Sequence, residues 1–169
     1  AYDNTPSPFY SETERTWATP QDWTVYGADT LRLHVRGNPV AFLERPDGSI
    51  LMSGAGTNIW GTEDGFRFAY KTLSGNGSIV ARVDSLVDTH ESAKACVMIR
   101  RTLEPGSSYA TVSLTSRKGV LFTLRLRQGV AAVWGDPDRP DVSTPLGADI
   151  QPPYWIKLER NGDQFSAFY

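Results

Sequence analysis

The sequence predicts an all-β protein, an antiparallel two-sheet, jelly-roll-like sandwich. Three observations predict it. Apolar residues recur with a period of two rather than 3.6. Turn residues punctuate the runs, among them Pro46-Asp47-Gly48, Gly75-Asn76-Gly77 and Asn161-Gly162. No window offers a capped amphipathic helix of three turns, and the best attempt, 89–94, is one turn at most. The chain has 169 residues, 40% of them hydrophobic, which is about one domain's length and enough for a core.

The elements follow in order. Over 29–36, Leu31, Leu33 and Val35 alternate with Arg32, His34 and Arg36, a half-buried strand. Residues 40–44 and 49–52 flank Pro46-Asp47-Gly48 as short strands. Over 65–72, Phe66, Phe68 and Tyr70 alternate with Arg67, Ala69 and Lys71. Over 77–86, Ile79, Ala81 and Val83 share one face. Over 94–101, Ala95, Val97 and Ile99 oppose Lys94, Cys96, Met98 and Arg100. Residues 108–115, 119–127, 130–134, 154–160 and 164–169 complete the set, filled with the Val, Ile, Thr and aromatic residues that suit a pleated surface. The Ser-Gly-Ala-Gly-Thr run at 53–57 is a natural joint, which divides the chain into 1–52 and 53–169.

Composition excludes several functions. Seventeen basic and 19 acidic residues give a net charge of −2, so no nucleic-acid partner is expected, because phosphate neutralisation needs a basic face. No apolar run approaches the roughly 20 residues that span a bilayer, and no membrane insertion is expected. The N-terminal ten residues lack the basic start and apolar stretch of a signal peptide, so the signal of a secreted protein is expected upstream. Cys96 stands alone, and His34 and His90 lie far apart, so neither a disulfide nor a thiolate or histidine metal site is expected.

The segment from about 54 to 169 resembles the concanavalin A-like lectin/glucanase type of β-sandwich module found in secreted bacterial proteins. The residues that carry the resemblance are Gly65 to Tyr70, Gly75 to Val83, Ala93 to Arg100, Pro105-Gly106-Ser107, Pro153 to Leu158, Asn161-Gly162 and Phe165 to Tyr169. Cys96 stands where that pattern more often has glycine, and the pattern normally runs on past Tyr169 into a further turn and strand. Residues 1–45 are similar to the closing strands of a galactose-binding-like jelly roll, through Tyr2-Asp3-Asn4, Tyr10 to Trp17 and Leu31 to Gly37. Strands donated to another chain would look the same.

Catalytic equipment is sparse. A glycosidase needs two acids facing each other across a cleft, roughly 5–9.5 Å apart. Glu12 and Glu14 have strand spacing but lie in a polar stretch, and adjacent Glu63 and Asp64 point to opposite faces and read as solvated acids. No Gly-x-Ser-x-Gly elbow is present, and Cys96 reads as a small core residue. The loop holding Asp136, Asp138 and Asp141 offers oxygens for a structural calcium, although Arg139 opposes a cation and a proline-stiffened turn explains the loop as well. No other cofactor is expected.

Aromatic residues make up 11% of the chain. Flat rings stack on the apolar face of a sugar while polar neighbours bind its hydroxyls. Trp60, Trp134 and Tyr154 stand at strand ends or in loops, and Arg67, Lys94 and Arg100 could line a groove beside them, although rings on half-buried strands more often fill a core. The expectation is a non-catalytic, lectin-like module of an extracellular or cell-surface protein, with a polysaccharide or glycan as partner. The alternatives are a structural subunit of a fibre or surface layer that self-associates through edge strands, and a glycoside hydrolase or lyase.

Overall fold

A computed structural model describes residues 42–135 and 146–169. The expected strand at 29–36 and the acidic loop with Asp136, Asp138 and Asp141 lie outside the described residues. The chain divides into two compact units, Ala1–Thr57 and Asn58–Tyr169. Among the described residues both units contain strands and no helix.

In the first unit, β1 (Phe42–Glu44) and β2 (Ile50–Met52) form an antiparallel hairpin. Its turn is built by Asp47, whose Oδ1 accepts from Ser49 N at 2.9 Å, and by Gly48, whose N–H donates to Arg45 O at 2.9 Å. The Ser49 hydrogen bonds hold the Asp47 carboxyl below its ordinary pKa.

Among the described residues the second unit contains nine strands. They are β3 (Asn58–Trp60), β4 (Glu63–Gly65), β5 (Gly77–Val83), β6 (Lys94–Arg100), β7 (Tyr109–Thr115), β8 (Val120–Arg125), β9 (Val133–Trp134), β10 (Tyr154–Asn161) and β11 (Gln164–Phe168). One sheet has the order β11-β10-β5 and another β6-β7-β8-β9, all antiparallel, while β3 and β4 form a separate hairpin. The larger sheets face each other, with β10 packed across β6 and β7.

Alternation explains this core. Val97 from β6, Ala110, Val112 and Leu114 from β7, Val120 and Leu124 from β8, Val83 from β5, and Ile156 and Leu158 from β10 form one buried cluster. Ala95, Ile99, Phe122, Ala81, Tyr154, Phe165 and Ala167 pack against its rim. These are every second residue of their strands, as a sheet with one face on the core requires.

Two turns show why glycine stands where it does. Gly162 closes β10 onto β11 at φ 60°, a region that suits glycine, and Asn76 bridges this turn to the one before β5 by accepting from Gly162 N and donating to Asn161 Oδ1. Gly119 has φ 67°, and a Cβ there would sit 1.9 Å from the Gly147 carbonyl oxygen. That close approach lets Val120 N donate to Gly147 O and tie the strand to 146–147.

The run at 65–72 differs from the expected strand. β4 ends at Gly65, and residues 66–72 carry no ladder. Phe66 and Phe68 are nonetheless half-buried while Arg67 is exposed. The alternation there reflects side-chain packing, with ring centroids 5.5 Å apart for Phe66 and Phe68 and 5.9 Å for Phe68 and Tyr70.

Candidate functional site

The side of the four-stranded sheet turned away from the core is mostly polar. Strand register lays it out in rows. Arg100, Tyr109 and Arg125 lie side by side, as do Met98, Thr111, Thr123 and Trp134, then Cys96, Ser113 and Leu121, and last Lys94 and Thr115. A half-buried sheet exposes such a face to water. Here Met98, Tyr109, Thr111, Ser113, Thr115, Leu121, Thr123 and Arg125 are all buried. The reason is a third layer: Ile59 joins Met98, Tyr109 and Ala132 in a second apolar cluster, flanked by Trp60, Phe66, Phe68 and Cys96.

One end of this face is closed by a buried ion pair. Arg125 and Asp64 both have fully buried side chains. Arg125 Nη1 donates to Asp64 Oδ2 at 2.6 Å and Nη2 to Oδ1 at 2.7 Å, a bidentate fork. Its remaining N–H groups reach the carbonyls of Pro105, Ser107, Gly61 and Val130 at 3.0–3.3 Å. Every donor of the guanidinium is therefore used, which is what makes a buried arginine tolerable. Arg100 adds a second cation to Asp64 at 3.4 Å and lies 5.3 Å from the Phe66 ring centroid. Burial holds the Arg100 pKa below its ordinary value and pushes the Tyr109 phenol up to about 12. The expectation that Asp64 is a solvated acid is thus corrected: adjacency did turn it away from exposed Glu63, but into the molecule rather than into water.

The other end of the face is open. A cleft of about 210 Å³ is lined by Asn58, Trp60, Ser92, Lys94, Thr115, Lys118, Leu121 and Trp134. Trp60 and Trp134 form its aromatic wall, with ring centroids 4.7 Å apart and planes inclined at 42°. Both rings are half-buried. Trp60 is held from behind, because Arg125 Nη2 donates to the carbonyls of Trp60 and Gly61. Lys94 Nζ donates to Asn58 Oδ1 at 2.8 Å, and the same oxygen accepts from Ile59 N at 2.8 Å. Lys118 Nζ pairs with Glu91 at 2.8 Å and reaches Ser92 Oγ at 3.4 Å. Burial holds the Lys94 ammonium below the ordinary lysine pKa.

Of the residues singled out by sequence, the cleft brings together Trp60, Lys94 and Trp134. Arg100 stands at the far, closed end of the same strand. Arg67 is exposed outside the cleft, and Tyr154 packs against the sandwich core. Asn58, Ser92, Thr115, Lys118 and Leu121 complete the lining without having been singled out. Among the described residues no group of three or more His, Cys, Asp or Glu could hold a metal ion. Comparison of the chain with protein-family models, with curated proteins and with solved structures gave no match.

Proposed function

We propose that residues 58–169 form a non-catalytic, lectin-like module of an extracellular or cell-surface protein, holding a sugar ring in the cleft beside Trp60 and Trp134. The observation that carries this reading is the pair of tryptophans in contact along one wall of a cleft that also holds Asn58, Ser92, Lys94 and Lys118. Apolar walls with a few placed polar groups are what a pyranose ring needs, one apolar face and a rim of hydroxyls. The concanavalin A-like resemblance of the sequence supports the same reading. A glycan array probed with the full chain tests it. Wild type retains a defined set of glycans, and Trp134→Ala weakens them about tenfold or more while still melting cooperatively. An array with no bound glycan overturns the proposal.

A second reading, self-association through a sheet edge, is favoured by β5. Among the described residues β5 has no strand on its outer side, and its Ile79 and Val80 are exposed. Bare apolar edges invite pairing with another chain. Sedimentation of wild type against Val80→Lys tests this, with a shift toward monomer expected in the variant; identical sedimentation of the two rejects it.

A further inference from the structure

We infer that the cleft selects an anionic sugar, one whose ring carries a carboxylate or sulfate, over its neutral counterpart. The inference rests on the sugar-binding reading of the same cleft and adds the ligand's charge.

Two ammonium groups line the cleft and, among the described residues, no carboxylate does. The two are not equivalent. Lys118 is matched by Glu91 at 2.8 Å. Lys94 forms no ion pair among the described residues, and its acceptor is the neutral amide oxygen of Asn58. Directly across the ladder its neighbour is Thr115, whose hydroxyl is already used by Gly119 O and Lys118 N. A partly buried cation without a counter-ion is costly, and its depressed pKa records that cost. The missing charge is one that a ligand can bring.

The surroundings fit such a ligand. Trp60 and Trp134 offer ring faces beside Lys94. Asn58 Oδ1 is occupied by Lys94 and Ile59, which turns the amide N–H groups of Asn58 toward other acceptors such as a sugar hydroxyl. At about 210 Å³ the cleft is smaller than the roughly 300–1,000 Å³ of pockets for drug-sized molecules, so it accepts one ring rather than a longer stretch of chain.

Calorimetric titration of the full chain tests the inference with two matched pairs of probes: oligogalacturonate against its methyl ester, and sulfated against unsulfated dextran oligosaccharide. The pairs separate carboxylate from sulfate as the source of the charge. Wild type prefers the charged member of at least one pair by about tenfold, the value of one charge-assisted hydrogen bond. Lys94→Met abolishes the preference, while Lys94→Arg and Lys118→Met keep it. High salt erodes the preference in wild type, a readout that needs no variant to fold. Equal binding of charged and neutral members, a preference indifferent to salt, or a preference that survives in Lys94→Met overturns the inference while sugar binding stands. Failure of all four probes also overturns it, and the sugar-binding reading itself falls only with an empty glycan array.

Discussion

The two faces of the four-stranded sheet bury similar strands by different chemistry. The inner face is apolar throughout: Val97, Ala110, Val112, Leu114, Val120 and Leu124 need only neighbours of the right volume. The outer face buries Thr111, Ser113, Thr115, Thr123 and Arg125, and each polar group there needs a specific partner. Thr111 Oγ1 donates to Val97 O at 2.9 Å, Thr115 Oγ1 to Gly119 O at 3.0 Å, and Arg125 binds Asp64 and five carbonyls. The difference teaches that a polar strand face signals solvent or a third layer, and local sequence does not choose between them. Here the third layer covers the Arg100–Tyr109–Arg125 end and leaves the Lys94–Thr115 end as a cleft.

The comparison breaks most sharply at Asp64. Asp64→Ala leaves the Arg125 charge buried without its carboxylate, and denaturant unfolding is expected to show a loss of about 3–5 kcal/mol. A loss near zero would mean that water reaches the pair. On the inner face, Leu114→Ala removes volume only, with an expected loss of about 2–5 kcal/mol in the same assay, set by how far β10 can settle into the space. Thr111→Val keeps shape and deletes one hydrogen bond, so about 1 kcal/mol is expected. If it cost as much as Leu114→Ala, the outer face would be as dependent on packing as the inner one.

The smallest effect concerns pH at the open end. The anion preference requires Lys94 charged. It is therefore complete at neutral pH and lost as pH rises through the Lys94 pKa, which burial holds below the ordinary 10.5. The charged and titratable groups beside Lys94 are Cys96, Lys118 and Asp64. Cys96 is half-buried and desolvation raises its thiol above the ordinary 9.0, Lys118 is paired with Glu91, and Asp64 is paired with Arg125. Calorimetry of the preferred probe across alkaline pH checks this, with loss of preference expected before an exposed lysine would titrate.

The inner face was legible in the sequence because its signal is local. Leu31-type alternation recurs in β6, β7, β8 and β10, and every second residue goes where period two sends it. The β3–β4 hairpin was not legible: three-residue strands show no period, and no Pro-Asp-Gly or Asn-Gly turn marks it as Pro46-Asp47-Gly48 marks β1 and β2. Arg125 meets Asp64 across 61 positions of sequence, and nothing near either residue announces the other. The cleft divides in the same way. Trp60, Lys94 and Trp134 stand out by type and position at strand ends, whereas Ser92 and Lys118 belong to loops that only the fold brings to the cleft. Tyr154 shares its strand face with Ile156 and Leu158, so its core placement follows from alternation rather than from its ring.

The chain carries a natural control for the cleft in Trp155, 59% exposed on β10 in the other large sheet. Its ring is available to any ligand that merely seeks an exposed aromatic. The most direct test is therefore chemical-shift mapping of the tryptophan indole N–H signals during titration with a glycan that the full chain binds. Progressive shifts of Trp60 and Trp134 with Trp155 unmoved are the predicted result. Shifts of Trp155 with Trp60 and Trp134 unmoved would contradict the assignment of sugar binding to the cleft.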